Sequence, residues 1–299
     1  MDERGLMTKA DKIEQVVVHI VLIIFSLCAI LPFILLISGS FTDESILTIT
    51  GYKFWPAKWS LYAYEYLFVT NGENILRAIG ISVFITVFGT GLSLLTAPML
   101  AYALSRRDYR RAKIMTFYVI FTMLFNGGLV PAYMMWNNLF GIKNTIWALV
   151  FPNLVMNGFI IIIMKNYFTQ NIHPALIEAA KIDGASEMKI YFRIILPLSQ
   201  PILATVGLMI GLGYWNDWVN GLYYITDSKL YSLQVMLNSI LMNAQALMTM
   251  GNSATVGMKL PSVSIRMAIA VVGTVPIIIL YPFFQKYFIK GISLGGVKE

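Results

Sequence analysis

Long apolar runs alternate with short polar segments along most of this chain. Six runs approach the roughly 20 residues that a helix needs to cross a bilayer. They lie near residues 16–38, 79–104, 113–130, 145–164, 197–215 and 265–284. The first run is too long for a signal-peptide core, and no small-x-small cleavage site clearly follows it. The pattern therefore predicts an all-α integral membrane protein with six transmembrane helices, the first of them retained.

Composition supports a membrane protein and narrows the chemistry. The 299 residues are 58% hydrophobic and 12% charged, whereas soluble domains are about a quarter charged. Cys28 is the only cysteine, so the chain forms no internal disulfide. His19 and His173 are far apart, and no pair has the spacing of metal ligands. The sequence indicates neither a disulfide framework nor a metal site.

The basic residues predict the orientation of the spans. Most of the 22 lysines and arginines fall in alternate polar segments, which the positive-inside rule assigns to the cytoplasm. Both termini are therefore predicted to be cytoplasmic. This distribution also accounts for the net charge of +7 without a nucleic-acid partner. The cytoplasmic set is Arg4, Lys9, Lys12, Arg106, Arg107, Arg110, Arg111, Lys113, Lys165, Lys181, Lys189, Arg193, Lys286, Lys290 and Lys298.

A charged, helix-forming loop separates the fourth and fifth runs. Six charged residues fall within 178–193, and the segment 174–192 is rich in helix formers. Gly184 permits a tight turn between two short helices, and Asp183 is predicted to cap the second of them. Helical spacing predicts one narrow face, which either lies on the lipid surface or fits a groove on another protein. That face comprises Ile177, Ala180, Gly184, Met188 and Tyr191.

The order of residues in this loop resembles the EAA loop of ABC importer permeases. The family pattern is Glu-Ala-Ala, three residues, Gly, nine residues and Ile-x-Leu-Pro. Glu178-Ala179-Ala180, Gly184 and the segment 194–197 match every fixed position. Residues 214–218 and 284–298 resemble the second permease of maltose-type importers, and residues 125–131 resemble a signature of its complex-oligosaccharide relatives.

The resemblance implies a permease subunit of an oligosaccharide importer in the bacterial cytoplasmic membrane. Its partners would be a second permease subunit, two copies of a cytoplasmic ATPase and an external sugar-binding protein. ATP and Mg would bind to the ATPase; this chain lacks the Gly-Lys of a phosphate loop and is expected to bind no cofactor. The loop 174–201 would seat in the ATPase through Glu178, Ala179, Ala180, Asp183, Gly184, Ala185 and Pro197.

The resemblance also implies roles for the tail and for the outer side. Within the tail 285–299, an ATPase contact is expected at Gly295, Gly296, Val297 and Lys298, although a frayed end is the alternative. The tail 1–15, the transmembrane domain 16–284 and the tail 285–299 divide the chain. The outer loop 219–262 would reach the binding protein or be simply solvated. Candidate pathway or sugar contacts are Tyr133, Trp215, Asn216, Asp217 and Trp218, although such aromatics also collect at membrane interfaces.

Two other classes of protein fit the sequence less well. A stand-alone secondary carrier for a small solute would show inverted repeats and broken midplane helices, and no convincing repeat is present. An intramembrane enzyme needs paired polar groups at membrane depth, and Ser26 with His19 has no third member. The oligosaccharide itself stays open between neutral and uronate-containing sugars, because acidic and basic residues nearly balance on the predicted outer side.

Small residues predict where helices approach closely. Gly207 and Gly211 form a small-xxx-small pair in the fifth run, and Gly89 with Gly91 provides a similar pair in the second. Both pairs are also compatible with ordinary packing inside one bundle.

Overall fold

The computed structural model describes residues 9–70, 72–152, 154–249 and 263–295. These residues are almost entirely helical and contain no strand, only an isolated bridge between Thr42 and Trp59. In chain order the helices are α1 Lys9–Ser40, α2 Glu44–Thr50, α3 Tyr62–Glu65, α4 Gly72–Ser105, α5 Ala112–Leu124, α6 Leu129–Met134, α7 Gly158–Asn171, α8 Pro174–Ile182, α9 Glu187–Ile190, α10 Leu196–Leu198, α11 Gln200–Trp215, α12 Val219–Tyr224, α13 Leu233–Thr249 and α14 Val263–Gly295.

Short non-α turns extend or connect several helices. Wider, π-helical turns follow α3, α6 and α9, at Tyr66–Thr70, Met135–Leu139 and Tyr191–Ile195. Tighter 3-10 turns occur at Ile146–Leu149 and Ser228–Leu230.

Three of the described helices are long and apolar enough to cross a bilayer. They are Ile13–Ser40, Gly72–Ser105 and Val263–Pro282. Two further helix pairs meet the same length and composition if each is one bent span. Ala112–Leu124 with Leu129–Leu139 bends by 113°, and Glu187–Leu198 with Gln200–Tyr224 bends by 82°. The described residues therefore supply three to five candidate spans.

The predicted fourth span is wrong in its first half. Residues 145–164 do not form one helix; a 3-10 turn at Ile146–Leu149 is followed by irregular turns, and α7 begins only at Gly158. Asn157 caps α7 by accepting hydrogen bonds from the N–H groups of Phe159 at 3.0 Å and Ile160 at 3.4 Å. Pro152, which has no N–H to donate, interrupts the apolar run before it.

Two other predicted boundaries also change. The predicted span 113–130 ends as a helix at Leu124 and turns through Gly128, whose φ of +87° lies in the left-handed region. The predicted outer loop 219–262 contains helices α12 and α13, and its residues 250–262 lie outside the described part of the chain.

The described residues divide into two compact units. The first comprises residues up to Gly72 together with Leu241–Thr274. Within it, the Glu44 carboxylate accepts hydrogen bonds from the N–H groups of Val263 at 3.0 Å and Ser264 at 2.9 Å. A carboxylate at this position satisfies the free N–H groups at the start of α14 and opposes the positive end of its dipole.

The second unit comprises Glu73–Ile240 and the residues from Val275 onward. Its main core is formed by apolar side chains of α4, α7, α8, α9 and α11, with Met164, Ile190, Ile195 and Val206 fully buried. This core brings the two short helices of the 174–201 loop against α4 and α7.

Glycines allow α4 and α11 to approach closely, as the sequence predicted. A Cβ added at Gly207 would lie 3.2 Å from Leu94, and one at Gly89 would lie only 2.3 Å from the ring of Tyr214. Tyr214 is fully buried, and its hydroxyl donates to the Val150 carbonyl at 2.9 Å. A Cβ at Gly91 would meet nothing within 4 Å, so the close approach involves Gly89 alone of that pair.

Candidate functional site

Helices α8 and α9 meet at a tight turn centred on Gly184. Gly184 has a φ of +74°, its N–H bonds to the Lys181 carbonyl at 3.0 Å, and the Ala185 N–H bonds to the Ala180 carbonyl at 3.0 Å. This is the Schellman pattern that ends a helix with glycine in the left-handed conformation. The predicted break into two short helices at Gly184 is confirmed.

The cap of α9 differs from the prediction. Asp183 is the carboxyl-terminal cap of α8, and Ser186 caps α9 by accepting a hydrogen bond from the Lys189 N–H at 3.4 Å. The prediction that Asp183 caps α9 is wrong because the Schellman turn uses 183–185 before α9 begins. Ser186 is the first residue after that turn and directly precedes α9, so its side chain caps the helix.

The predicted docking face of this loop is not a single exposed surface, so that prediction is wrong. Ile177 and Ala180 are 9% and 7% exposed and pack, together with Tyr191, into the core of this chain. The outward side of α8 instead carries Ala179 and Ile182, and the Ile182 side chain is 85% exposed.

Four charged side chains fix this loop to the segment after α4. Lys181 Nζ lies 2.9 Å from Asp108 Oδ2 and 2.9 Å from Glu187 Oε1. Arg106 Nη2 lies 2.5 Å from Asp108 Oδ2 and 3.4 Å from Glu187 Oε1. We call these four residues the clamp, since two bases and two acids alternate across both segments. From the sequence, Arg106 and Lys181 contributed only to the predicted orientation of the spans, and Asp108 was not singled out.

Hydrogen bonds within the clamp shift the pKa values of Asp108 and Lys181. Hydrogen bonds from Arg106 and then Lys181 hold the pKa of the Asp108 carboxyl well below its usual range. Hydrogen bonds to Glu187 and then Asp108 raise the pKa of Lys181. The Asp108–Lys181 pair is therefore ionised near neutral pH. Their partial exposure limits what each contributes to stability.

A cavity lies between the clamp and α8. It has a volume of about 230 Å3, and Arg106 Nη1 bonds to the Tyr102 hydroxyl at 2.7 Å within its wall. Glu178, the first residue of the EAA sequence, is exposed and also lines this cavity. Other lining residues include Asp108, Phe168, Ile172, Ile177 and Lys181.

The loop continues from α9 into α11 without a long linker. The π-helical turn Tyr191–Ile195 leads directly into α10, where Pro197 is exposed. The chain then bends by 82° into α11. α9, the π-helical turn and α10 therefore form one helical segment that is separated from α11 only by the bend at Ser199.

The candidate contacts 215–218 follow the carboxyl end of α11. Trp215 is only 6% exposed, whereas the Trp218 side chain is 45% exposed. Asp217 Oδ1 accepts hydrogen bonds from the N–H groups of Val219 at 3.1 Å and Asn220 at 3.2 Å, which places it at the start of α12. Asn216 is exposed. Of these four side chains, Asn216 and Trp218 present the most surface.

Tyr133 packs one face of its ring against α12. Its ring stacks on Tyr224 with centroids 5.4 Å apart, and Lys143 Nζ lies 5.9 Å from its centroid. The predicted tail contact begins at Gly295, where α14 ends, while Gly296, Val297 and Lys298 lie outside the described residues. No group of three potential metal ligands occurs among the described residues.

The sequence of this chain matches the model of a known protein family. The model for "Binding-protein-dependent transport system inner membrane component" matches residues 89–294. The matched region begins at the glycine that packs against Tyr214 and includes the clamp, the Gly184 turn and the segment 215–218.

Individual relatives and a solved structure match almost the whole chain. The polygalacturonan/rhamnogalacturonan transport system permease protein YtcP of Bacillus subtilis (strain 168) is 38% identical over 288 residues, which is 96% of this chain and 99% of that protein. Protein LplC of the same organism is 40% identical over 269 residues, covering 90% and 89%. A crystal structure of a bacterial ABC transporter involved in the import of the acidic polysaccharide alginate has a chain with a TM-score of 0.77 and 30% identity, covering 95% of this chain and 99% of that one.

Proposed function

This chain belongs to the family of binding-protein-dependent transport system inner membrane components, and from that premise we propose that it imports uronate-containing oligosaccharides. It is a multi-pass membrane permease subunit of a sugar ABC importer. It forms half of the pathway, with six spans and both termini in the cytoplasm. Two relatives support the acidic sugar, since one is named for polygalacturonan/rhamnogalacturonan transport and the other belongs to an importer of the acidic polysaccharide alginate.

The Gly184 turn and its clamp carry the mechanism. α8 buries Ile177 and Ala180 in its own subunit and exposes Ile182. This division suits a coupling helix that is rigid toward the membrane domain and open toward an ATPase. When the ATPase pair closes on ATP, α8 moves as a body with α11, which turns closure into alternating access.

The assembly needs partners that this chain does not supply. A second permease completes the pathway, two copies of a cytoplasmic ATPase hold ATP and Mg, and an external binding protein delivers the sugar. Asn216 and Trp218, the exposed members of the outer segment, are the proposed sugar or pathway contacts here, with Trp215 and Asp217 supporting them from within. The tail beyond Gly295 contacts the ATPase.

The ATPase rate of the reconstituted importer tests this function. The chain is assembled with its neighbouring permease and ATPase, and binding proteins are added with neutral or uronate-containing oligosaccharides. Stimulation by a uronate-loaded binding protein is the expected result. Stimulation only by neutral sugars would overturn the acidic substrate and leave the importer intact, whereas failure to assemble with any ATPase would overturn the coupling role.

A further inference from the structure

A second groove lies where α4 ends, α5 begins and α7 passes. Its volume is about 630 Å3. Among the described residues, no acidic side chain lines it. Its wall carries five basic residues, which are Arg106, Arg107, Arg110, Lys113 and Lys165.

Four of these basic side chains have no acidic partner within the described part of the chain. Arg106 is held by the clamp, but no described carboxylate lies in ion-pair range of the other four. Four clustered cations without counter-charges repel one another. An anion in the groove would relieve that repulsion.

Lys165 is the most unusual of the four. It is the only charged residue in α7, whose sequence begins with a glycine and six apolar residues. A lysine on a helix of this composition stays near the membrane surface only if its ammonium reaches water or an anion. Lys165 lines the groove together with Thr169, so an anion bound in the groove could pair with its ammonium group.

Polar groups of α5 point to the same ligand. The hydroxyl oxygen of Thr116, which lines the groove, is buried and has no hydrogen-bond partner among the described residues. α5 also starts at Ala112 without a side-chain cap. Its first N–H groups, which form the positive end of the helix dipole, therefore lie at the basic end of the groove.

The rest of the groove is apolar. Phe117 and Ile120 line it on the next turns of α5, and the Phe117 side chain is 61% exposed. Neither a free phosphate nor an acidic protein loop would bury apolar surface against Phe117 and Ile120. A headgroup phosphate joined to acyl chains uses both ends of the groove.

We propose that this groove binds an anionic phospholipid, with the phosphate among Arg110, Lys113 and Lys165 and the acyl chains along Phe117 and Ile120. Basic pockets between helices at the cytoplasmic surface are known to suit such headgroups. The site goes beyond sugar import, and its test does not depend on the substrate.

Native mass spectrometry of the full chain in detergent, titrated with phosphatidylglycerol or phosphatidylcholine, tests the site. Removing a basic side chain near an anionic lipid lowers affinity about fivefold. The double variant Lys113→Gln/Lys165→Gln should therefore bind phosphatidylglycerol roughly 25-fold more weakly. The matched control Lys189→Gln/Arg193→Gln removes the same charge from exposed positions outside the groove and should retain parental binding.

Three results would overturn the proposal. These are equal binding of the two lipids by the parent, a double variant within about twofold of the parent, or complete displacement of the lipid by millimolar inorganic phosphate. The last result would assign the groove to a free anion. If the double variant does not fold, Arg110→Gln on an exposed side chain replaces it, with about a fivefold loss expected.

Discussion

Replacing Gly184 separates the backbone role of the turn from a steric role at the partner. Gly184→Ala adds one methyl group, and Gly184→Asn adds a larger side chain that tolerates the left-handed region better than alanine does. If the role is steric, any bulky residue at Gly184 would prevent docking. The structure gives the two variants different expected outcomes.

The magnitude follows from the geometry of the turn. The φ of Gly184 is +74°, and a Cβ added there would meet nothing within 4 Å. The cost of alanine within this chain is therefore conformational, roughly 1–2 kcal/mol for an L-residue in this region. That cost lowers the ratio of native to non-native turn by a factor of about 5–30. Asparagine should lose only a small part of it.

The assay is the number of ATP molecules hydrolysed per sugar transported in proteoliposomes, with assembly checked by co-purification. We expect Gly184→Ala to weaken coupling at least severalfold and Gly184→Asn to keep most of it. If asparagine fails and alanine does not, the partner's cleft requires a small residue, and the steric interpretation is correct. Normal coupling in both assembled variants would refute the role of the turn.

Three further substitutions test the packing and the charges. Gly89→Ala should destabilise the chain by about 1–3 kcal/mol, because its methyl group would meet a buried, anchored tyrosine ring; thermal unfolding in detergent measures this, with Gly91→Ala as the unhindered control. Asp108→Asn should cost about 0.5–1 kcal/mol at neutral pH. Since the native pKa of Asp108 is depressed, its stabilisation is present above about pH 4 and is lost on acidification below it, so the difference between parent and variant should vanish in acid. Glu44→Gln should cost about 1 kcal/mol by weakening the cap of α14, whereas Glu65→Gln, on an exposed side chain, should be neutral in the same unfolding assay.

Local features were predicted from the sequence where one residue type has few alternatives. A glycine between two helix-forming segments predicted the turn at Gly184, because the left-handed conformation strongly favours glycine. Small residues four positions apart predicted the approach at Gly207 and Gly211. In both cases the residues that impose the physical requirement lie close together in the sequence.

The missed features depend on distant partners or on breaks within apolar runs. Hydropathy does not distinguish a spanning helix from the irregular segment before Asn157, since both are apolar. The clamp joins residues more than 70 positions apart, so no local pattern contains it. Helical spacing showed that α8 has an apolar face, but it could not tell whether this face packs on a partner or on the chain's own core.

That last error changes how coupling is understood. Ion pairs as exposed as those of the clamp contribute little stability, so the buried face of α8, with Ile177 and Ala180, holds the loop to the subunit. The clamp instead ties the carboxyl end of α8, through Lys181, and the start of α9, through Glu187, to Asp108 and Arg106. We therefore expect a push by a partner on the exposed Ile182 to be resisted at the Gly184 end of α8. We expect the displacement to pass to α4 through the clamp and, from α9, to α11 across the 82° bend.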